Sequence, residues 1–132
     1  MESYDSDDVQ AFLTTFGVAV STGDLDAIAE AYAFPALTVR QGSSEIVPDP
    51  DTVRDAARDA ARGHRERGLV AAAPYLDDVE EVGDALLWAR VRWSYRDENA
   101  NEKESRTVRY LLRRARDGFE VCVVVPEAPD GA

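Results

Sequence analysis

The second half of the chain reads as four long β-strands, and this pattern limits the possible folds more than any other feature. The four segments are residues 75–82, 85–96, 106–116 and 119–125. Gly83-Asp84 joins the first pair and Asp117-Gly118 joins the second. Such dipeptides favour the tight turns of β-hairpins, because Gly and Asp tolerate positive φ values. The sequence therefore predicts an antiparallel meander of four strands.

The first half of the chain predicts three helices and two short strands. Residues 6–21 place apolar side chains at helical spacing, and Gly23 suits the C-terminal cap of this first helix. Asp24 then caps a shorter second helix that ends at Phe34-Pro35. Asp49-Pro50 is a strong helix start, so the third helix runs from there to about Arg67. Its thin inward stripe would let this helix lie close to a sheet. The stripe comprises Val53, Ala56, Ala57, Ala60, Ala61 and His64. The short strands are residues 36–40 and 45–47. The resulting order, ααββαββββ, predicts an α+β fold.

The length of 132 residues predicts one domain, with residues 6–125 ordered and residues 126–132 forming a flexible tail. Cys122 is the only cysteine and His64 the only histidine, which excludes an internal disulfide and a Cys/His zinc site within one chain. Any metal would have to be held by oxygen ligands, and we expect no metal and no cofactor. No apolar run reaches the roughly 20 residues that span a bilayer, and the first residues are acidic where a signal peptide is basic. The expected location is the cytoplasm, away from membranes.

The charge balance disfavours polyanionic partners. The formal net charge is -11, and such a field repels nucleic acids and anionic lipids. Lys103 is the only lysine, and the other cationic side chains that count toward this charge are arginines. Acid-rich, lysine-poor surfaces are typical of proteins from salt-saturated cytoplasms, where a Debye length of about 3 Å screens self-repulsion. The sequence therefore predicts a halophilic source, with an ordinary acidic protein as the alternative.

Several segments of the chain resemble a known superfamily. They are the amphipathic first helix, Ser-Thr-Gly-Asp-Leu-Asp-Ala-Ile at 21–28, Tyr-Ala-Phe-Pro at 32–35 and the late Gly-Asp hairpin with its alternating strand. Residues 6–125 resemble the nuclear transport factor 2-like superfamily, and within it SnoaL-like and other stand-alone members. The resemblance implies a cystatin-like cone, in which three helices pack on a strongly curved, mostly antiparallel sheet that encloses a pocket. It also implies a homodimer that forms through the outer sheet face. Members include isomerases, dehydratases, cyclases and non-catalytic partners, so the fold alone does not select a function.

The predicted hairpin at Gly83-Asp84 determines which side chains share a face of the sheet. A two-residue turn pairs Glu80 with Leu87 and Asp78 with Ala89, which places both carboxylates on an apolar face. A carboxylate in an apolar pocket has a raised pKa and suits general acid or base catalysis. The alternative is a turn that is one residue longer, which directs both acids outward.

His64 and Asp78 are the candidate catalytic residues. His64 lies on the inward stripe of the third helix, and histidine titrates close to neutral pH. It could serve as a base, with a nearby tyrosine as the acid. The tyrosines considered are Tyr32, Tyr75 and Tyr95. The alternative for His64 is a packed or capping role at the end of the helix.

The candidate pocket residues are Tyr32, Arg40, Trp93 and Arg109. Arginines cluster between Arg90 and Arg116, and arginine suits bidentate recognition of carboxylates. This cluster indicates an anionic ligand or an acidic partner. The alternative is pairing with acids on neighbouring strands or on a second subunit.

These observations predict a small-molecule-binding protein with a hydrophobic pocket inside a curved sheet. The ligand would be small and either hydrophobic or anionic. One alternative is a cofactor-independent isomerase, dehydratase or cyclase that acts on a small hydrophobic compound. The other is a non-catalytic, dimerising partner protein. An open pocket favours the first two functions, whereas a cavity filled by Phe12, Phe16 and Trp93 favours the third.

Overall fold

The computed structural model of the chain describes residues 6–116 and 118–127. Its helices are α1 Ser6–Thr22, α2 Leu25–Glu30 and α3 Pro50–Glu66. Asp24 and Asp49 cap α2 and α3 as predicted, because their carboxylates accept hydrogen bonds from the N–H groups of Ala27 and Thr52. Within the described residues, no helix combines the length and the apolar character needed to cross a membrane.

Six strands of the described residues form one curved, mixed sheet. They are β1 Tyr32–Val39, β2 Ser44–Val47, β3 Ala71–Glu81, β4 Leu86–Arg96, β5 Glu102–Ala115 and β6 Gly118–Pro126. The strand order is β2-β1-β6-β5-β4-β3, and among the strand pairs of the described residues only β1–β6 is parallel. Strands β3 to β6 form the predicted meander, so the α+β class and the order ααββαββββ are confirmed. Ala115 pairs with Gly118 at the second hairpin, whereas Asp117 of the predicted turn lies outside the described residues.

α2 ends earlier than predicted, and β1 begins earlier. The predicted second helix ran to Phe34-Pro35, but α2 stops at Glu30 and Tyr32 already belongs to β1. The N–H of Val121 in β6 donates to the carbonyl oxygen of Ala31 at 2.8 Å, and Tyr32 is the register partner of Val121. This contact brings the chain into the sheet directly after α2. Local propensity does not report such a distant partner.

β3 and β4 pair with a register that is shifted by one residue from the pairing predicted for a two-residue turn. Leu87 pairs with Glu81 rather than with Glu80. Val79 therefore packs against the core, while Asp78 and Glu80 are exposed. The longer turn, given above as the alternative, is the one that forms. It buries an apolar side chain instead of two carboxylates, whose burial without partners would be costly.

α1 covers the edge strand β3 with side-chain hydrogen bonds. The Gln10 amide donates to the carbonyl oxygen of Pro74 at 3.0 Å and accepts from the N–H of Leu76 at 2.9 Å. The Ser21 hydroxyl donates to the carbonyl oxygen of Ala72 at 3.1 Å and accepts from its N–H at 2.9 Å. The outer edge of β3 between Ala72 and Leu76 is therefore satisfied by α1 rather than left open to pair with another strand.

The carboxyl end of the described chain continues the sheet. The tail was predicted to begin at residue 126, but β6 includes Pro126 and Glu127 follows it in an ion-paired cluster. The Glu127 carboxylate accepts hydrogen bonds from Arg90 at 2.9 and 3.1 Å and from Arg109 at 3.1 Å. The rest of the predicted tail, residues 128–132, lies outside the described residues.

Candidate functional site

A cavity of about 580 Å³ lies between α3 and the concave face of the sheet. Side chains of α1, β1, β4 and β5 line its inner part. The apolar and aromatic lining includes Phe16, Val20, Tyr32, Val53, Trp93 and Val108. Ala56 and Ala60 of α3 also line the cavity, yet both are exposed, so the cavity is open to solvent on the helix side.

α3 does not lie close to the sheet, so that prediction was wrong. Val53 is the one buried residue of this helix, and α3 packs mainly against α2. The stripe of alanines therefore faces the cavity. Ion pairs between residues three apart support the helix along its length. These pairs are Asp51–Arg54, Asp55–Arg58 and Asp59–Arg62.

Four aromatic side chains form the base of the cavity. Trp93 Nε1 donates a hydrogen bond to the Tyr110 hydroxyl at 2.9 Å. The Phe16 ring meets its three neighbours edge to face, with centroid distances of 5.7 Å to Trp93, 6.3 Å to Tyr32 and 6.4 Å to Tyr110. Edge-to-face packing of this kind holds aromatic rings in defined orientations. We call these four residues the aromatic base.

Burial keeps the two tyrosines of the aromatic base protonated. It raises the pKa of Tyr32 to about 12. It also raises the pKa of Tyr110 well above its ordinary value, and the neighbouring Tyr32 adds to the effect. Because a neutral phenol donates a hydrogen bond but does not accept a proton at neutral pH, these hydroxyls suit ligand recognition rather than base catalysis.

Charged side chains surround the solvent side of the cavity, which we call the mouth. They are Arg40, Glu45, Asp59, Arg67, Glu104 and Arg106. Arg67 contacts both carboxylate oxygens of Glu104, at 2.7 and 3.4 Å. Arg40 Nε lies 3.5 Å from Glu45 Oε1, and Asp59 pairs within α3 as described above. Each of these three carboxylates therefore has an arginine partner.

His64 packs against Tyr95 at the cavity wall. The ring centroids are 4.8 Å apart and the planes are tilted by 41°. Burial lowers the pKa of His64, and the nearby Arg67 lowers it further. The imidazole is therefore neutral at neutral pH, and one ring nitrogen can accept a hydrogen bond. Its contact with Tyr95 fits the packed role, while its place on the wall leaves it within reach of a ligand.

Arg106, at the mouth, was not among the site residues predicted from the sequence. It is the register partner of Trp93, so both lie on the concave face. Val108 and Tyr110 follow on the same face of β5, because alternate residues of a strand share a face. The alternate positions of Arg106, Val108 and Tyr110 in the sequence could therefore have identified Arg106 as a residue of the concave face. Within the described part of the chain, the side chain of Arg106 makes no ion pair or hydrogen bond.

The structure places four of the six predicted site residues at the cavity. They are Tyr32, Arg40, Trp93 and His64. Arg109 lies on the outer face and pairs with Glu127, because neighbouring residues of a strand point to opposite faces. Asp78 is exposed on β3, as a result of the register described above. The roles of the four cavity residues in binding or catalysis stay predictions.

Metal ligation and thiol chemistry receive no support at this site. Among residues 6–116 and 118–127, no three His, Cys, Asp or Glu side chains converge closely enough to hold a metal ion. Cys122 lies on β6 apart from the cavity wall, and burial raises the pKa of its thiol. A raised pKa keeps the thiol protonated and poorly nucleophilic.

Comparison with protein families matches residues 6–129 to the family described as NTF2-like protein (DUF6841). The match spans nearly the whole chain. The chain belongs to this family. The resemblance to the nuclear transport factor 2-like superfamily is therefore confirmed. No match is found among curated proteins.

Solved structures share the NTF2-like fold of the chain. An NTF2-like protein of unknown function from Shewanella oneidensis has a TM-score of 0.68 and 12% identity, over 93% of this chain and 98% of that one. A cystatin-like domain of unknown function from Nostoc punctiforme has a TM-score of 0.73 and 13% identity, over 98% and 80%. A Novosphingobium aromaticivorans protein whose name proposes an aromatic ring hydroxylase has a TM-score of 0.61 and 16% identity, over 96% and 94%. At these identities the similarities establish the cystatin-like fold alone.

Proposed function

We propose that this NTF2-like protein binds a small, largely apolar molecule in the cavity between α3 and the sheet. The observation that carries the proposal is the unfilled space of about 580 Å³ between the alanine stripe and the aromatic base. Ligand sites typically occupy about 300–1,000 Å³ and combine apolar walls with a few polar groups. The protonated hydroxyls of Tyr32 and Tyr110 supply such polar groups. Because Phe16 and Trp93 leave the cavity open, ligand binding has more support than a pocketless partner protein.

Proton transfer without a cofactor is the second candidate function. The neutral His64 at the cavity wall supports it, because a neutral imidazole can accept a proton. Other candidates for the base have less support. Asp78 is exposed, and the carboxylates at the mouth are paired with arginines. Tyr32 and Tyr110 of the aromatic base stay protonated. Binding therefore has the broader support, and His64 is the residue through which catalysis would be tested.

Filling the cavity should abolish binding of neutral aromatic probes. The variant Ala60→Trp adds an indole to the exposed cavity side of α3, where it does not need to displace a packed neighbour. We expect the wild-type protein to bind N-phenyl-1-naphthylamine saturably, and the variant to bind it at least about tenfold more weakly, which is about 1.4 kcal/mol. Fluorescence titration of the dye measures both dissociation constants.

The matched control for this experiment is Ala11→Trp. Ala11 is an exposed residue of α1 that does not line the cavity, so the control adds the same side chain elsewhere. It should bind the dye as the wild type does. Equal binding by the wild type and Ala60→Trp, or no saturable binding by the wild type, would contradict the proposed function.

We also propose that two copies associate through the outer face of the sheet. Trp88, Leu111 and Val123 are register partners on β4, β5 and β6, and they form an apolar row across this face. Each is only half-buried within one chain. Charged pairs flank the row, as in interfaces with an apolar centre and a polar rim. These pairs are Arg90–Glu127 and Arg113–Glu120.

A charge placed in the apolar row should separate the two copies. We expect light scattering to give the wild-type protein twice its chain mass of 14.5 kDa, and Leu111→Asp a mass of 14.5 kDa. An unpaired carboxylate buried at the interface carries a large desolvation cost. Val18→Asp on α1, where Val18 is 57% exposed, should remain dimeric. A wild-type protein that is monomeric at every concentration would contradict this proposal.

A further inference from the structure

We infer that the ligand of the cavity carries a carboxylate, and that Arg106 at the mouth binds it. The inference rests on the proposed function, because it names the class of molecule that the same cavity takes. The ligand would be an aromatic or alicyclic carboxylic acid, with its apolar body against the aromatic base.

Among residues 6–116 and 118–127, no side chain forms an ion pair or a hydrogen bond with the Arg106 guanidinium at the mouth. The other two arginines there are engaged, Arg67 by both oxygens of Glu104 and Arg40 by Glu45. Glu104 shares the concave face of β5 with Arg106 but is held by Arg67. A guanidinium that no protein carboxylate occupies can receive one from a ligand, through two parallel hydrogen bonds.

The position of Arg106 suits a molecule with one charged end and one apolar end. Arg106 and Tyr110 are four residues apart on the same face of β5, which corresponds to about 13 Å at a rise of about 3.3 Å per residue. Val108 lies between them and is buried. A molecule of two fused rings could therefore keep its carboxylate at Arg106 while its rings reach the aromatic base.

A single carboxylate fits this site better than a phosphate does. The N-terminus of α3 borders the cavity at Thr52, and helix N-termini are the usual backbone sites for phosphate. Here the Asp49 carboxylate already accepts hydrogen bonds from the Thr52 N–H at 2.9 Å and from its hydroxyl at 2.8 Å. The net charge of -11 also repels ligands that carry several negative charges. One free guanidinium matches one carboxylate.

The test compares 2-naphthoate with its neutral isostere 2-naphthamide by isothermal titration calorimetry at neutral pH. We expect the wild-type protein to bind the acid about tenfold more tightly than the amide. Arg106→Gln should lose this preference and keep its affinity for the amide. Arg116→Gln removes the same charge from an exposed residue beyond the far end of β5, so it should keep the preference. Raising the salt concentration should reduce the preference in the wild type, because salt screens the ion pair.

The outcomes separate this inference from the proposed function. Equal affinity of the wild type for acid and amide would overturn the role of Arg106 and leave the cavity as a site for neutral molecules. A preference that survives in Arg106→Gln would also overturn it. No binding of either compound would contradict both the inference and the proposed function. Arg106→Lys gives a second check, because it keeps the charge without the fork of N–H donors and should retain only part of the preference.

Discussion

Replacing Leu112 with alanine should lower the free energy of unfolding by about 3–5 kcal/mol. Leu112 is 0% exposed, and its register partners Leu87 and Val121 are 0% and 1% exposed. The three side chains form a row across β4, β5 and β6, in the same buried cluster as Leu13 of α1. Neighbours that belong to a hydrogen-bonded sheet cannot easily collapse into the space left by the deletion, so a cavity remains.

Urea denaturation of both proteins, with midpoint and slope compared, measures this loss. The matched control is Ile46→Ala, which removes the same number of carbon atoms from a side chain that is 72% exposed. The control should change the free energy of unfolding by less than about 0.5 kcal/mol. A loss at Leu112 as small as the loss at Ile46 would contradict the tightly packed core described here.

Replacing Gly17 with alanine should destabilise the protein by about 1–3 kcal/mol, although alanine normally favours a helix. A Cβ atom at Gly17 would lie 2.5 Å from Pro74 Cδ and 3.2 Å from the carbonyl oxygen of Ala72. α1 cannot simply move away from β3, because Gln10 and Ser21 bind the backbone of that strand on both sides of Gly17. Relieving the clash would stretch those hydrogen bonds.

Gly63→Ala in α3 provides the matched control for Gly17. The nearest described atom to a Cβ at Gly63 is Arg67 Nη1, at 3.2 Å, which is the end of a flexible side chain. Because this neighbour can move, the gain in helix propensity should dominate and stabilise the protein by about 0.5–1 kcal/mol. Urea midpoints of the two variants should therefore shift in opposite directions. Shifts in the same direction would contradict the close approach of α1 to β3.

Local signals in the sequence predicted the elements of the fold well. The helix starts at Asp24 and Asp49 depend on a side chain and an N–H group three residues away, and both caps form. The alternation in β4 also predicted that Leu87 and Ala89 share an apolar face, because that pattern needs only the strand itself. Leu87, Ala89, Val91 and Trp93 are all buried on one face. By contrast, the end of α2 depends on a contact between Ala31 and Val121, which no local pattern reports.

The candidate site was predicted less completely than the fold. Tyr32, Arg40, Trp93 and His64 all reach the cavity. Arg109 was predicted to line the pocket, although it lies one residue from Tyr110 on β5 and so points to the opposite face. Arg106 lies four residues from Tyr110, shares its face and reaches the mouth of the cavity. For Asp78, both registers were compatible with the sequence, and a single residue in the turn changed its face.

The sequence by itself therefore determined the order of helices and strands, the capped helix starts and the alternation of side chains within β4, because residues close along the chain control these features. Only the tertiary structure decided the register of β3 against β4, the approach of α1 to β3 and the distance of α3 from the sheet. Each of these depends on the shape and hydrogen bonding of surfaces that meet from distant parts of the chain. The cavity results from the last of them, since it is the space that α3 leaves between its alanine stripe and the sheet.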